Sequence, residues 1–191
     1  MHRTWAEISL DRIAANYHAL RAEAGEQVIT APVVKANAYG HGSAEVARRL
    51  EAEGAPWFCV SNADEGVVLR DAGISARILV MGGFLDFERE TMLGYDLTPV
   101  VHCPAQLRDL DRLAGHSGCS LTYHLKLDTG MGRLGARAPL PELIEAVRQA
   151  RHAHLEGLMT HFASANDFVS GQTAEQMAGF ESAVQTFRAA G

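Results

Sequence analysis

Short apolar runs alternate with segments of helical period along almost the whole chain, and that rhythm restricts the fold more than any single residue. Trp5 to Ser9 reads as a short leading strand, and Asp11 opens a helix to about Ala24 with Ile13, Tyr17 and Leu20 on one face. Val28 to Val34 is a β-branched run, followed by a helix over about Ser43 to Glu53 that presents Val46, Ala47 and Leu50 and ends at Gly54. Trp57 to Val60 is the next strand. Ser61-Asn62-Ala63-Asp64 is a capping-box pattern for a helix to Asp71, stopped by Gly73, before a strand at Arg77 to Met81. The same reading gives a helix near Asp86 to Leu93, a strand at Leu97 to Val101, and a helix from Pro104 to Ala114 with proline in its first turn. Leu121 to Leu127, Leu140 to Arg151, Leu155 to His161 and Thr173 to Ala190 complete the alternation as strand, helix, strand, helix.

One leading strand and six βα units, with strands apolar on both sides, imply a parallel sheet covered by helices. Two closures satisfy that pattern, an open doubly wound sheet and a (β/α)8 barrel, and a barrel normally needs about 250 residues in eight units. The chain has 191 residues, 47% of them hydrophobic and 21% charged, enough for a single core without disulfides or metal. A formal charge of −6 argues against nucleic-acid and anionic-membrane partners, which need clustered lysine and arginine. Cys59, Cys103 and Cys119 are odd in number and widely spaced, which points away from a disulfide framework or zinc ribbon and toward a reducing cytoplasm. Met1 to Glu7 lacks the apolar core of a signal peptide, and no run approaches the roughly 18 to 20 apolar residues of a membrane span.

The most informative stretch is Val33-Val34-Lys35-Ala36-Asn37-Ala38-Tyr39-Gly40-His41-Gly42, in which an apolar run ends abruptly in a lysine. Withdrawn from water, an ammonium finds a partner or loses its proton, and the free amine is a nucleophile for carbonyl compounds. Just past the strand in a solvated loop, the same lysine would do nothing. The ten residues resemble, nearly letter for letter, the cofactor-lysine motif of the alanine racemases. That resemblance implies that Lys35 holds pyridoxal phosphate as a Schiff base and that Tyr39 reaches the cofactor phosphate. Without it, Tyr39 is a packed aromatic in a glycine-flanked turn.

His124-Leu125-Lys126-Leu127-Asp128-Thr129-Gly130-Met131-Gly132-Arg133-Leu134-Gly135 contains a formal G-x-G-x-x-G, so a dinucleotide-binding α/β enzyme has to be weighed. Arg133 stands where the backbone should approach a pyrophosphate, Ala138-Pro139-Leu140-Pro141 precedes the helix, and Glu156 lies inside the next strand, all of which argue against it. As K-x-D-T-G-M-G-R-L-G the segment is similar to a second alanine racemase signature. The resemblance implies that Arg133 contacts the cofactor phenolic oxygen and the substrate carboxylate, and that Lys126 is carbamylated to hold Arg133. Lys126 paired with Asp128 is the alternative. Gly157-Leu158-Met159-Thr160-His161-Phe162-Ala163 resembles the family's T-H-F-A motif, which implies that the His161 ring packs on the pyridine face. A lone histidine at a strand end is otherwise a hydrogen-bonded core residue. His152 and His154 form only a weak H-x-H, and no metal site is expected.

The resemblance runs from Trp5 to Phe180. It implies one domain over residues 1–191, an incomplete (β/α)8 barrel of about six units, with the family's last two strands and C-terminal β domain absent. It implies interconversion of L- and D-alanine, supplying D-alanine for peptidoglycan, in a cytoplasmic enzyme that is a homodimer when complete. The opposite-face acid–base tyrosine would come from the partner's β domain. An unclosed barrel of this kind is expected to leave strand edges and apolar helix faces open. A pyridoxal-phosphate-binding barrel module without catalysis is the alternative within the same family.

Overall fold

The computed structural model describes residues 4–167 and 169–191. Part of the stretch read for a leader, Met1 to Arg3, lies outside them. The chain divides into two compact units, residues 1–81 with 94–97 and residues 82–93 with 98–191.

In the first unit, α1 (Leu10–Ala24), α2 (Lys35–Gly40), α3 (Ser43–Ala52) and α4 (Ala63–Asp71) accompany β1 (Trp57–Val60) and β2 (Arg77–Val80). The two strands are parallel, in register from Trp57 opposite Arg77 to Val60 opposite Val80. Phe58, Cys59, Val60, Ile78, Leu79 and Val80 are all buried, as expected of strands covered on both faces. Burial raises the Cys59 thiol to about 11, which leaves it a protonated, inert core residue. Val46, Ala47 and Leu50 of α3 are buried as their spacing predicts. Gly66 lets α4 close onto Leu97, whose Cδ1 would stand 2.7 Å from a Cβ there.

Three expectations fail in this unit. Residues 5–9 form no strand and Trp5 is exposed, because no described strand offers them a ladder. Val28 to Val34 is reduced to one parallel bridge, Val33 to Cys59, with Val28 and Ile29 exposed. Pro32 has no N–H to give to a ladder, so pairing is confined to Val34 N–H on Cys59 O and Cys59 N–H on Pro32 O, at 2.9 and 2.8 Å. α1 is capped by Ser9, whose hydroxyl accepts from Arg12 N–H, and not by Asp11. Its buried face is Ala14 and Tyr17, with Leu20 in solvent.

The second unit runs α5 (Glu88–Gly94), β3 (Thr98–Val101), α6 (Pro104–His116), β4 (Leu121–Lys126), α7 (Leu140–Gln149), β5 (Ala153–Met159) and α8 (Gln172–Ala190). β4 pairs in parallel with β3, at Val100 opposite His124, and with β5, from Leu121 opposite Ala153 to Lys126 opposite Met159. Tyr123 faces Leu155 and His124 faces Gly157, so Glu156 is the extra residue of a β-bulge. The bulge brings Glu156 Oε2 within 3.4 Å of His124 Nε2. β5 ends at Met159, which places His161 beyond the strand instead of at its last position. Five strands are present among the described residues, all parallel in the pairings above, where the sequence predicts seven.

Candidate active site

In the first unit Lys35 follows the buried Val34 and stands half-exposed at the start of α2. α2 winds the wrong way for L-residues. Ala36, Asn37, Ala38 and Tyr39 have φ of 50, 55, 52 and 54° and ψ between 36 and 48°, one turn of left-handed helix. Each such residue costs roughly 1 to 2 kcal/mol, so four in succession persist only where the surroundings over-determine them. They do so here. Ala38 N–H donates to Val34 O at 2.8 Å and Gly42 N–H to Asn37 O at 3.0 Å. The Asn37 side-chain oxygen accepts from Ser43 N–H at 2.8 Å, and Ala38 O meets His41 Nδ1 at 2.8 Å. Glu65 of α4 accepts from Ala36 N–H, the amide next to Lys35, at 2.7 Å, and its other oxygen takes Ser61 N–H and Oγ–H at 2.8 and 2.9 Å. The cap of α4 is Asn62, whose side chain accepts from Glu65 N–H at 3.0 Å, one residue along from the Ser61-to-Asp64 pattern, and the Glu65 carboxylate pins the lysine-bearing turn. Tyr39 is 60% exposed, so it is not a packed aromatic.

In the second unit the chain leaves β4 through Lys126, Leu127 and Asp128 and folds back on itself. Ala136 N–H donates to Lys126 O at 2.7 Å and Asp128 N–H to Ala136 O at 3.1 Å, making a parallel bridge from Leu127 to Ala136. Gly135 sits inside this closure at φ +128°, where a Cβ would lie 2.7 Å from Asp128 N. The third glycine of the formal G-x-G-x-x-G thus packs on the strand backbone, and α7 does not start until Leu140, so the segment is not a phosphate-cradling turn into a helix. Asp128 Oδ1 accepts Gly130 and Gly132 N–H at 3.1 and 3.0 Å, and its Oδ2 accepts from Arg137 Nε at 2.6 Å. The Gly132 amide above all, with Arg137 and the Gly130 amide, holds its carboxyl at about 2.

Asp128 is therefore taken by the loop and by Arg137, while Lys126 lies buried at the end of β4. Burial, and then the nearby Arg133 guanidinium, push the Lys126 ammonium below the ordinary lysine value, with Asp128 pulling the other way. Arg133 itself is exposed on the loop. His161 is exposed just after β5, and its carbonyl is held by Gln176 of α8 at 3.0 Å. Lys126, Arg133 and His161 thus share the C-terminal side of β4 and β5, and Lys35 and Tyr39 follow the segment paired beside β1, the ends at which parallel α/β folds build sites.

Each unit by itself offers donors that suit part of a pyridoxal phosphate. In the first, the Lys35 amine and the exposed Tyr39 suit a carbonyl and a phosphate, and in the second, the exposed Arg133 guanidinium with the buried Lys126 suits anionic oxygens. Glu65 and Gln176, which hold these groups through backbone amides and carbonyls, are not singled out by the sequence. Glu65 lies one residue past the Ser61-to-Asp64 capping pattern, and a glutamine on a helix carries no signal.

The family model described as alanine racemase, N-terminal domain, matches residues 8–191. Among curated relatives, the alanine racemase of Carboxydothermus hydrogenoformans is 44% identical over 171 residues, covering 87% of this chain and 45% of that protein. That of Sorangium cellulosum is 42% identical over 191 residues, with 93% and 48% covered. The chain spans about half the length of the curated relatives it matches. Among solved structures, the alanine racemase of Clostridium difficile 630 is 32% identical with a TM-score of 0.91, over 100% of this chain and 51% of that one. A structure of the Bartonella henselae alanine racemase, described as having covalently bound pyridoxal phosphate, is 25% identical with a TM-score of 0.85, over 93% and 52%. The fold is accordingly α/β, of the incomplete (β/α)8 barrel type.

Proposed function

Because the chain belongs to the family of the alanine racemase N-terminal domain, we propose that it is the cofactor-bearing part of an enzyme that interconverts L- and D-alanine, with pyridoxal phosphate held covalently on Lys35. The presentation of Lys35 carries this reading: its following amide is anchored to Glu65 and the turn is wound left-handed at a cost that a mere connection would not repay. Bound there, pyridoxal phosphate supplies an electron sink that stabilises the charge left on a substrate α-carbon when its proton departs.

The chain's own residues do the rest. The Lys35 amine, besides holding the cofactor, would remove and return the α-proton on one face. Tyr39 would donate its hydroxyl to the phosphate. Arg133 would bind the substrate carboxylate and the ring oxygen, and His161 would pack on the ring. A neutral Lys126 amine adds to dissolved carbon dioxide with loss of one proton, and the resulting carbamate is an anion beside Arg133. Its depressed affinity for a proton favours that addition. The acid–base group for the opposite face comes from outside this chain, in a homodimer of the complete enzyme. The reading also takes residues 1–191 as one barrel domain preceding a separate β domain. Alanine is the substrate, and D-alanine for peptidoglycan the physiological product. The compartment is the cytoplasm, where the free thiols of Cys59, Cys103 and Cys119 stay reduced. No helix among the described residues is long and apolar enough to cross a membrane.

The test is to add pyridoxal phosphate to the purified chain, reduce with borohydride and map the adduct by peptide mass. A tag on Lys35 that vanishes in Lys35→Ala is the expected result. A tag that persists elsewhere in Lys35→Ala, or none in the unsubstituted chain, overturns the assignment.

A further inference from the structure

The loops that carry Arg133 and His161 meet on one buried side chain. Gln176 of α8 is 1% exposed. Its Oε1 accepts Ala163 N–H at 2.9 Å, and its Nε2 donates to His161 O at 3.0 Å and to Thr129 Oγ1 at 3.2 Å. Both amide hydrogens are used, so the amide has one orientation: turned over, it would set oxygen against the His161 carbonyl. The direction continues through the hydroxyls. Thr160 Oγ–H donates to Leu127 O at 3.0 Å, so the 2.7 Å contact between Thr129 and Thr160 hydroxyls is donated by Thr129, whose oxygen accepts from Gln176. One directed run thus joins α8 to the segment after β4, at Leu127 and Thr129, and to the loop after β5. The Cβ missing from Gly130 would lie 3.4 Å from Gln176 Cγ, so the segment after β4 rests directly on the side chain. A buried network with every donor and acceptor matched admits a single arrangement of the segments it joins.

We propose that Gln176 is a positioning residue for the cofactor site, fixing the loop that carries Arg133 against the loop that carries His161. The role rests on the reading that those two side chains face pyridoxal phosphate. Filling the core does not require an amide, because methionine has nearly the same length and volume. What methionine lacks is the acceptor for Ala163 and the two donors for His161 and Thr129. A glutamate keeps the shape and the acceptor, but sets a carboxylate oxygen against the His161 carbonyl until it takes up a proton.

The experiment compares the unsubstituted chain with Gln176→Met and Gln176→Glu by amide hydrogen exchange, thermal unfolding, and titration with pyridoxal phosphate followed through the absorption of its Lys35 adduct. Gln176→Met is expected to speed exchange at Ala163 about tenfold, the equivalent of one hydrogen bond, and to weaken cofactor retention by a similar factor. Exchange in β1 and β2 should stay unchanged. Gln176→Glu should match it at pH 8 and recover as the pH falls toward 6, a profile that a space-filling role would not produce. Unchanged exchange in the two loops overturns the proposal. Faster exchange with retention and adduct absorption unaltered, or an acceleration spread evenly over the chain, leaves Gln176 a structural residue only and also overturns it. An unsubstituted chain that forms no adduct on Lys35 refutes the function reading and the positioning role with it, whereas an adduct insensitive to Gln176 refutes the positioning role alone.

Discussion

Gly135 is fixed by contact as well as by conformation. A Cβ there would stand 2.7 Å from Asp128 N and 2.9 Å from Leu127 C, both backbone atoms that cannot yield, at a φ of +128° that L side chains rarely adopt. Gly135→Ala should cost about 2 to 3 kcal/mol, read as a lowered urea midpoint. Its neighbour Asp128 makes a prediction in pH. The folded carboxyl sits at about 2, below the ordinary aspartate value of about 3.9, because the Gly132 amide, the Arg137 guanidinium and the Gly130 amide all favour its anion. The unfolded chain therefore binds the proton first as acid is added. The stabilisation is complete above about pH 4 and is lost as the pH falls through about 2. The melting temperature of Asp128→Asn should consequently run below that of the unsubstituted chain at pH 6 and converge with it toward pH 2. A constant gap would show that the carboxylate charge is not what the loop uses. The sequence shows the glycines and the aspartate of this segment plainly, but their backbone conformation and contacts depend on Ala136 returning to Lys126, which no local pattern specifies.

At the scale of elements, the joints between helices and strands are made by single charged side chains that collect several backbone groups. Glu51 of α3 accepts from Ser75 N–H, Ser75 Oγ–H and Ala76 N–H at 2.8, 2.9 and 2.6 Å, just before β2. Asp111 of α6 accepts from Arg151, His152 and Ala153 N–H at 2.7, 2.6 and 2.9 Å, at the entry to β5. Arg70 of α4 donates to the carbonyls of Ile74 and Ala76 at 2.8 and 2.7 Å, and to those of Tyr95 and Asp96 at 3.0 and 2.9 Å. Strand entries otherwise leave such groups unpaired, and one side chain satisfies them together. Asp111→Ala should cost about 2 kcal/mol, and Asp111→Asn roughly half as much because an acceptor survives. Amide exchange at Ala153 should accelerate in the same order. These joints were hidden in the sequence, where each residue reads as a solvated helix charge. The strands at Trp57 and Arg77 were legible because burial on both faces leaves continuous apolar runs. Residues 5–9 and 28–34 misled for the converse reason: an apolar run becomes a strand only where a neighbour receives its hydrogen bonds.

Across the whole molecule, the order of elements and the motifs at strand ends were readable, and the support behind the motifs was not. Lys35, Arg133 and His161 stand out through the resemblance of their motifs to the alanine racemase signatures, while Gln176 and Glu65 act through backbone atoms. The second unit also carries an open cleft of about 640 Å³ between α7, β5 and α8, lined in part by Leu155, Leu158, Phe180, Val184 and Phe187. An apolar opening of that size should raise the fluorescence of an anilinonaphthalene dye at neutral pH, and Phe180→Asp should reduce the signal. A dye that ignores the substitution binds elsewhere. The left-handed turn of α2 has its own consequence in stereochemistry. Ala36 to Tyr39 occupy the backbone region that is at ease for D-amino acids, in a chain built wholly from their mirror images. A chain assembled by chemical ligation with D-alanine at position 36 should therefore be more stable than the all-L chain by roughly 1 to 2 kcal/mol. It should also exceed Ala36→Gly, since a D-residue is already biased to this region before folding, whereas glycine is free to leave it.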